Sequence, residues 1–83
     1  VGRQDQQDLV VLGRAIREIR RERGVGAESL AAVAGVDRRR LQELESGRLN
    51  PRYELLLALA EGLGVPASAF VIRAEQLAEQ ETD

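Results

Sequence analysis

Glycines at positions 24, 35, 47 and 64 divide this chain into short stretches in which apolar residues recur every three or four positions. That recurrence is the mark of an amphipathic helix, and a glycine just past the last apolar position is a frequent helix stop. Helices this short, joined by loops of about two to five residues, can bury their apolar faces only by packing on one another. The apolar residues agree, being almost entirely Leu, Val, Ile and Ala, with Tyr53 and Phe70 as the only aromatics. That palette suits packed helices better than a sandwich or barrel.

The periodicity predicts five helices. Asp8 is a plausible N-cap for the first, in which Leu9, Leu12, Ile16 and Ile19 lie on one face through Arg23. The second spans 27–34 with Leu30, Val33 and Ala34 turned inward. Asp37 caps the third, over 38–46, whose buried side is Leu41 and Leu44. Asn50-Pro51 reads as a cap followed by a first-turn proline for a fourth helix, with Tyr53, Leu56, Leu59, Ala60 and Leu63 as its stripe. Val65-Pro66 opens the fifth, whose apolar positions are Phe70, Ala74 and Leu77. Both aromatics are expected in the core. The fold class is all-α, a compact five-helix bundle, with residues 1–8 as a disordered leader, 9–78 as the folded domain and 79–83 as an acidic tail.

With 83 residues the chain buries about 60 to 65% of its unfolded surface, enough for one core and not two. It contains no Cys and no His, so disulfides and the usual zinc sites are absent. A glycine-rich phosphate loop and a convergent acidic pair are also missing, and a chain of this size offers no deep cleft. An enzyme, a cofactor and a metal are therefore not expected. No apolar run approaches the roughly 18 residues of a membrane span, and no secretory signal is present, which points to a cytoplasmic location.

Net charge is −2, yet the charges are segregated. From Arg14 to Arg52 ten arginines face six acids, a surplus of four positive charges, while the remainder has two arginines and eight acids. Such asymmetry is expected of a basic binding face. All twelve basic residues are arginine, which coding bias alone can explain.

The most informative stretch is 27–46, where two short helices are joined by a tight turn. Ala31 is small where two helices must cross, Gly35 supplies the positive φ of the turn, and Leu30, Val36, Leu41 and Leu44 lock the second helix across the first. The outward face of the third helix then carries Arg38, Arg39, Gln42 and Glu43. Arginine matches the O6 and N7 acceptors of guanine, glutamine can read adenine, and glutamate can accept from the N4 amine of cytosine. Arg40, and Arg48 and Arg52 around the following loop, are candidates for phosphate contact. Arg14, Arg17 and Arg21 share a face with Glu18 and Glu22, for which intrahelical ion pairs are the simpler reading.

Residues 12–70 resemble the phage-repressor and Cro-like helix-turn-helix family, also called the XRE family. The matching stretches are Leu12-Gly13-Arg14, Ile16-Arg17-Glu18-Ile19-Arg20, Glu22-Arg23-Gly24, Leu30-Ala31, Ala34-Gly35-Val36, Glu45-Ser46-Gly47-Arg48, Asn50-Pro51, Leu59-Ala60 and Leu63-Gly64-Val65-Pro66. The resemblance implies a five-helix lambda-repressor-like fold, homodimeric binding to two-fold-symmetric double-stranded DNA, association with the nucleoid, and base reading by Arg38, Arg39 and Glu43. It also implies a buried ion pair between the first and third helices, falling here on Arg20 and Glu45. The sequence departs from the family in two places. Gly26-Ala27 replaces the usual Ser-Gln at the start of the second helix, removing side chains that touch DNA, and Asp37 replaces the usual Ser cap, bringing a negative charge toward the backbone. These departures and the net charge keep a second reading open, a helix-turn-helix module that binds a protein partner, as in antitoxins or coactivators.

Overall fold

The computed structural model describes residues 2–81, with side chains from Gln6 onward. Val1, Thr82 and Asp83, the ends of the expected leader and tail, lie outside the described residues. Five helices follow in order: α1 (Gly2–Glu22), α2 (Ala27–Ala34), α3 (Arg38–Glu45), α4 (Tyr53–Leu63) and α5 (Ser68–Glu81). No described residue is in a strand, so the all-α expectation holds.

The interior is built in two clusters that share α1. The larger joins Ile16 and Ile19 of α1, Leu30 and Ala31 of α2, Leu41 and Leu44 of α3, Leu59, Ala60 and Leu63 of α4, and Phe70 of α5. The smaller joins Val11 and Ala15 to Ala74 and Leu77, where α1 lies along α5. Small residues bring the helices close. A methyl group on Gly13 would intrude on the Leu44 carbonyl oxygen and lie 2.8 Å from that of Glu45, so only glycine lets α1 cross the last turn of α3.

Polar links tie the helices at their ends. Arg73 of α5 donates to Glu22 at 2.8 and 2.9 Å and to Glu18 at 3.2 Å. The Arg73 hydrogen bonds hold the Glu22 carboxyl below its ordinary range and raise the Arg73 guanidinium in return. Arg23 donates from Nε to the Leu63 carbonyl at 2.9 Å, satisfying an acceptor left open at the end of α4.

Six sequence expectations are corrected by this architecture, the first being Asp8 as a cap, since it lies inside α1, which runs from Gly2. Residues 2–8 are helical rather than a disordered leader, and 79–81 continue α5 rather than forming a separate tail. The early segment has no proline, its Gln and Arg residues are good helix formers, and the Gln7 side-chain amide donates to the Glu81 carboxylate. Asn50-Pro51 lies in the loop, and α4 starts at Tyr53 with Arg52 as an N-cap that provides no side-chain bond. Arg52, and not Asn50, is the cap, with extended backbone at φ −74° and ψ 157°, which places the start two residues beyond the proline. Tyr53, 67% exposed, is therefore the first helical residue, ahead of the turns that reach the core. Val33 is also 67% exposed, because the adjacent α4 presents Gly62, which has no side chain to cover it.

Val65-Pro66 acts as expected with a small shift. Ser68 opens α5, while the Pro66 and Ala67 carbonyls accept from Ala69 and Phe70 at 2.9 and 3.1 Å in a preceding turn. No single helix among the described residues is long and apolar enough to cross a membrane.

Candidate nucleic-acid interface

The interface is organised by how α3 begins. Gly35 adopts φ 76°, and the Gly35 and Val36 amides return to the Ala32 and Ala31 carbonyls at 3.3 and 3.0 Å, closing α2. Two residues later the Asp37 carboxylate accepts the Arg40 amide at 2.7 Å and starts α3. A turn this short allows few arrangements of the two helices. Leu41 and Leu44 are each 1% exposed and fix the inner side of α3 against the core.

Arg38, Arg39 and Gln42 consequently stand in solvent, with Glu43 half-buried beside them. Arg39 approaches Glu43 at 3.8 Å and Arg38 approaches Glu28 of α2 at 3.9 Å. Both pairs are exposed and long, so water and salt screen them heavily and they hold their side chains only loosely. The guanidinium groups remain available to another acceptor.

The pair implied between Arg20 and Glu45 is present. Nε and Nη2 of Arg20 donate to the two oxygens of Glu45 at 2.7 and 2.9 Å, and Nη1 donates to the Val25 carbonyl at 3.1 Å. Each residue is 9% exposed. Hydrogen bonding to Glu45 raises the Arg20 guanidinium above its ordinary value, against the opposing effect of burial. One side chain thus connects α1, the α1–α2 loop and α3.

The remaining expected contact residues separate into two places. Arg48 joins Arg39, Gln42, Glu43 and Ser46 around a shallow concavity of 360 Å³ at the end of α3. Arg40 and Arg52 come together across the α2–α3 turn, with Glu54, at a second concavity of 310 Å³. So Arg48 shares the face of α3 that carries Arg39, while Arg40 and Arg52 flank it.

The structure also assembles a group that the sequence reading discounts. Arg17 and Arg21 of α1 line a notch of 330 Å³ together with Arg38, Gln42 and Ser46 of α3, and Ala27 of α2. Arg14 does pair with Glu18, at 3.3 Å, as expected of intrahelical neighbours. Arg17 and Arg21 take no carboxylate partner among the described residues. Their register was the available signal, since they stand three residues before and one after Arg20, which has to face α3.

Comparison with known proteins yields a consistent picture. A sequence model described as a helix-turn-helix domain matches residues 11–70. An immunity repressor protein of Bacillus phage phi105 is 32% identical over 74 residues, covering 89% of this chain and 51% of the repressor. An uncharacterized HTH-type transcriptional regulator of Sinorhizobium fredii is 39% identical over 61 residues, covering 74% of this chain and 77% of the regulator. Among solved structures, the clp gene regulator ClgR of Corynebacterium glutamicum superposes with a TM-score of 0.80 at 33% identity, over 83% of this chain and 90% of that one. The chain spans about half the length of the phage repressor it matches.

Proposed function

The chain belongs to the helix-turn-helix domain family, and from that premise we propose that it is the sequence-specific DNA-binding domain of a transcriptional regulator, with α3 lying in the major groove. The observation that carries this is the division of α3 into two faces. Leu41 and Leu44 commit one face to the core, and the opposite face presents Arg38, Arg39 and Gln42 to solvent from the first turn onward.

In this reading Arg38 and Arg39 donate to guanine, Gln42 addresses adenine and Glu43 accepts from cytosine, while Arg40, Arg48 and Arg52 contact phosphates. Arg40 and Arg52 suit that role by converging beside α3, outside its base-reading row. Two copies bind a two-fold-symmetric operator, each contributing one α3, and the protein acts in the cytoplasm at the nucleoid.

The test is selection from random duplex DNA, followed by measurement of binding to the enriched sequence over a salt series. A symmetric motif is expected, with log K falling by several units per log salt. Loss of binding in Arg38→Ala and Arg39→Ala, with the thermal transition unchanged, assigns those side chains to the groove.

Exposed Val33, Tyr53 and Leu57 favour a second reading, a module that docks on a protein. Failure of selection to enrich any motif, with weak binding even at low salt, would favour this second reading.

A further inference from the structure

We infer that Arg17 and Arg21 form an additional DNA-phosphate clamp on α1, taking over the contact that Gly26-Ala27 cannot make at the start of α2. The inference rests on the DNA-binding reading and adds to it a pair of residues and a backbone phosphate as their ligand.

Three observations converge on the notch between α1 and α3. Its interior polar pair is already neutral, because Arg20 and Glu45 satisfy each other with two short hydrogen bonds. Its rim is not neutral. Arg17 and Arg21 find no carboxylate among the described residues, and Arg38 has only the exposed approach to Glu28 at 3.9 Å. Three guanidinium groups therefore border one concavity of 330 Å³ without a matching acid, and their mutual repulsion is relieved by an anion. Arginine donors arranged as a fork match the tetrahedral oxygens of phosphate.

The third observation concerns access. A β-carbon placed on Gly26 would meet no atom within 4 Å, and Ala27 contributes only a methyl group to the wall of the notch. Longer side chains at these positions would stand between α1 and the DNA. Their absence opens the path to Arg17 and Arg21. The same two small residues that remove one DNA-binding group expose another.

The ligand is a phosphate of the duplex to which α3 is bound, and not one captured independently, because Arg38 and Gln42 belong both to the notch and to the reading face of α3. A duplex with its bases against that face carries its backbone across the notch.

The experiment compares the parent chain, Arg17→Gln/Arg21→Gln and Arg17→Lys/Arg21→Lys for binding a labelled random-sequence duplex over a salt series. Each phosphate that is no longer neutralised should make the log K against log salt slope shallower by about 0.9, so the glutamine variant, which releases the one clamped phosphate, is expected to lose about one unit of slope. Its affinity at low salt should fall at least about tenfold while its thermal transition is unchanged, and the lysine variant should keep the parent slope. A glutamine variant with the parent slope, or a lysine variant whose slope flattens as the glutamine one does, would overturn the clamp while leaving the DNA-binding reading intact. A parent chain without salt-dependent duplex binding would overturn that reading and the clamp together.

Discussion

Arg20 holds Glu45 by two parallel hydrogen bonds of 2.7 and 2.9 Å while both side chains are almost entirely shielded from water. A buried pair of this kind contributes little net stability compared with an apolar pair of the same shape, because both charges had to be desolvated. Removing one partner is different, since it strands the other charge. Glu45→Ala should cost about 3 to 5 kcal/mol, against a total of about 4 to 12 kcal/mol for a domain of this size. Urea unfolding should show a strongly lowered midpoint, and a parent near the low end of that range would leave the variant at least partly unfolded at room temperature. A midpoint close to that of the parent would mean that Arg20 finds water or another acceptor.

Gly13 gives a second stability test with a different cause. Its neighbours on α3 are backbone carbonyl oxygens, which cannot rotate away as a side chain could. Gly13→Ala should therefore destabilise by about 1 to 3 kcal/mol even though alanine is the better helix former by about 1 kcal/mol. A thermal melt decides the sign. A rise in Tm would mean that α1 and α3 separate freely.

At Asp37 stability and binding can be pulled apart. Its carboxylate caps α3, and serine caps equally well without the charge. Asp37→Ser should leave Tm within about 1 °C of the parent and tighten duplex binding, most visibly at low salt. Asp37→Ala should lower stability by about 1 kcal/mol through loss of the cap. Equal duplex affinities in the parent and the serine variant would show that position 37 lies away from the phosphates.

The Glu22–Arg73 link predicts a pH dependence. The folded-state pKa of Glu22 is depressed, chiefly by hydrogen bonds from Arg73. Its contribution is therefore fully present above the ordinary carboxylate pKa and is lost as pH falls through the lower folded value. The Tm difference between the parent and Glu22→Gln should be largest near neutral pH and shrink toward zero on acidification. A gap that stays constant would mean that glutamine accepts from Arg73 as well as glutamate does.

What the sequence made legible was local. The Asp37 cap, the turn at Gly35 and the inward Leu41 and Leu44 all depend on residues within one or two helical turns, and each is found as expected. What escaped depended on the neighbour across the gap. Val33 has the right period for burial, but its exposure is decided by Gly62 on another helix. Residues 2–8 have no apolar stripe to announce a helix, and part of their support comes from Glu81 at the far end of the chain. Arg17 and Arg21 look like ordinary solvated arginines until α3 is placed beside them.

The division of the interior into two clusters has a consequence for how the molecule breathes. The larger cluster joins α1, α2, α3 and α4 and reaches α5 through Ala69 and Phe70 in its first turn, whereas the smaller depends entirely on the later turns of α5 lying along α1. Opening those turns exposes four buried residues and leaves the support of α3 untouched. Backbone amides beyond Phe70 should then exchange with solvent through a low-energy excursion, while those of α3 wait for the whole domain to unfold. The reading face keeps its shape through the commonest fluctuation the fold allows.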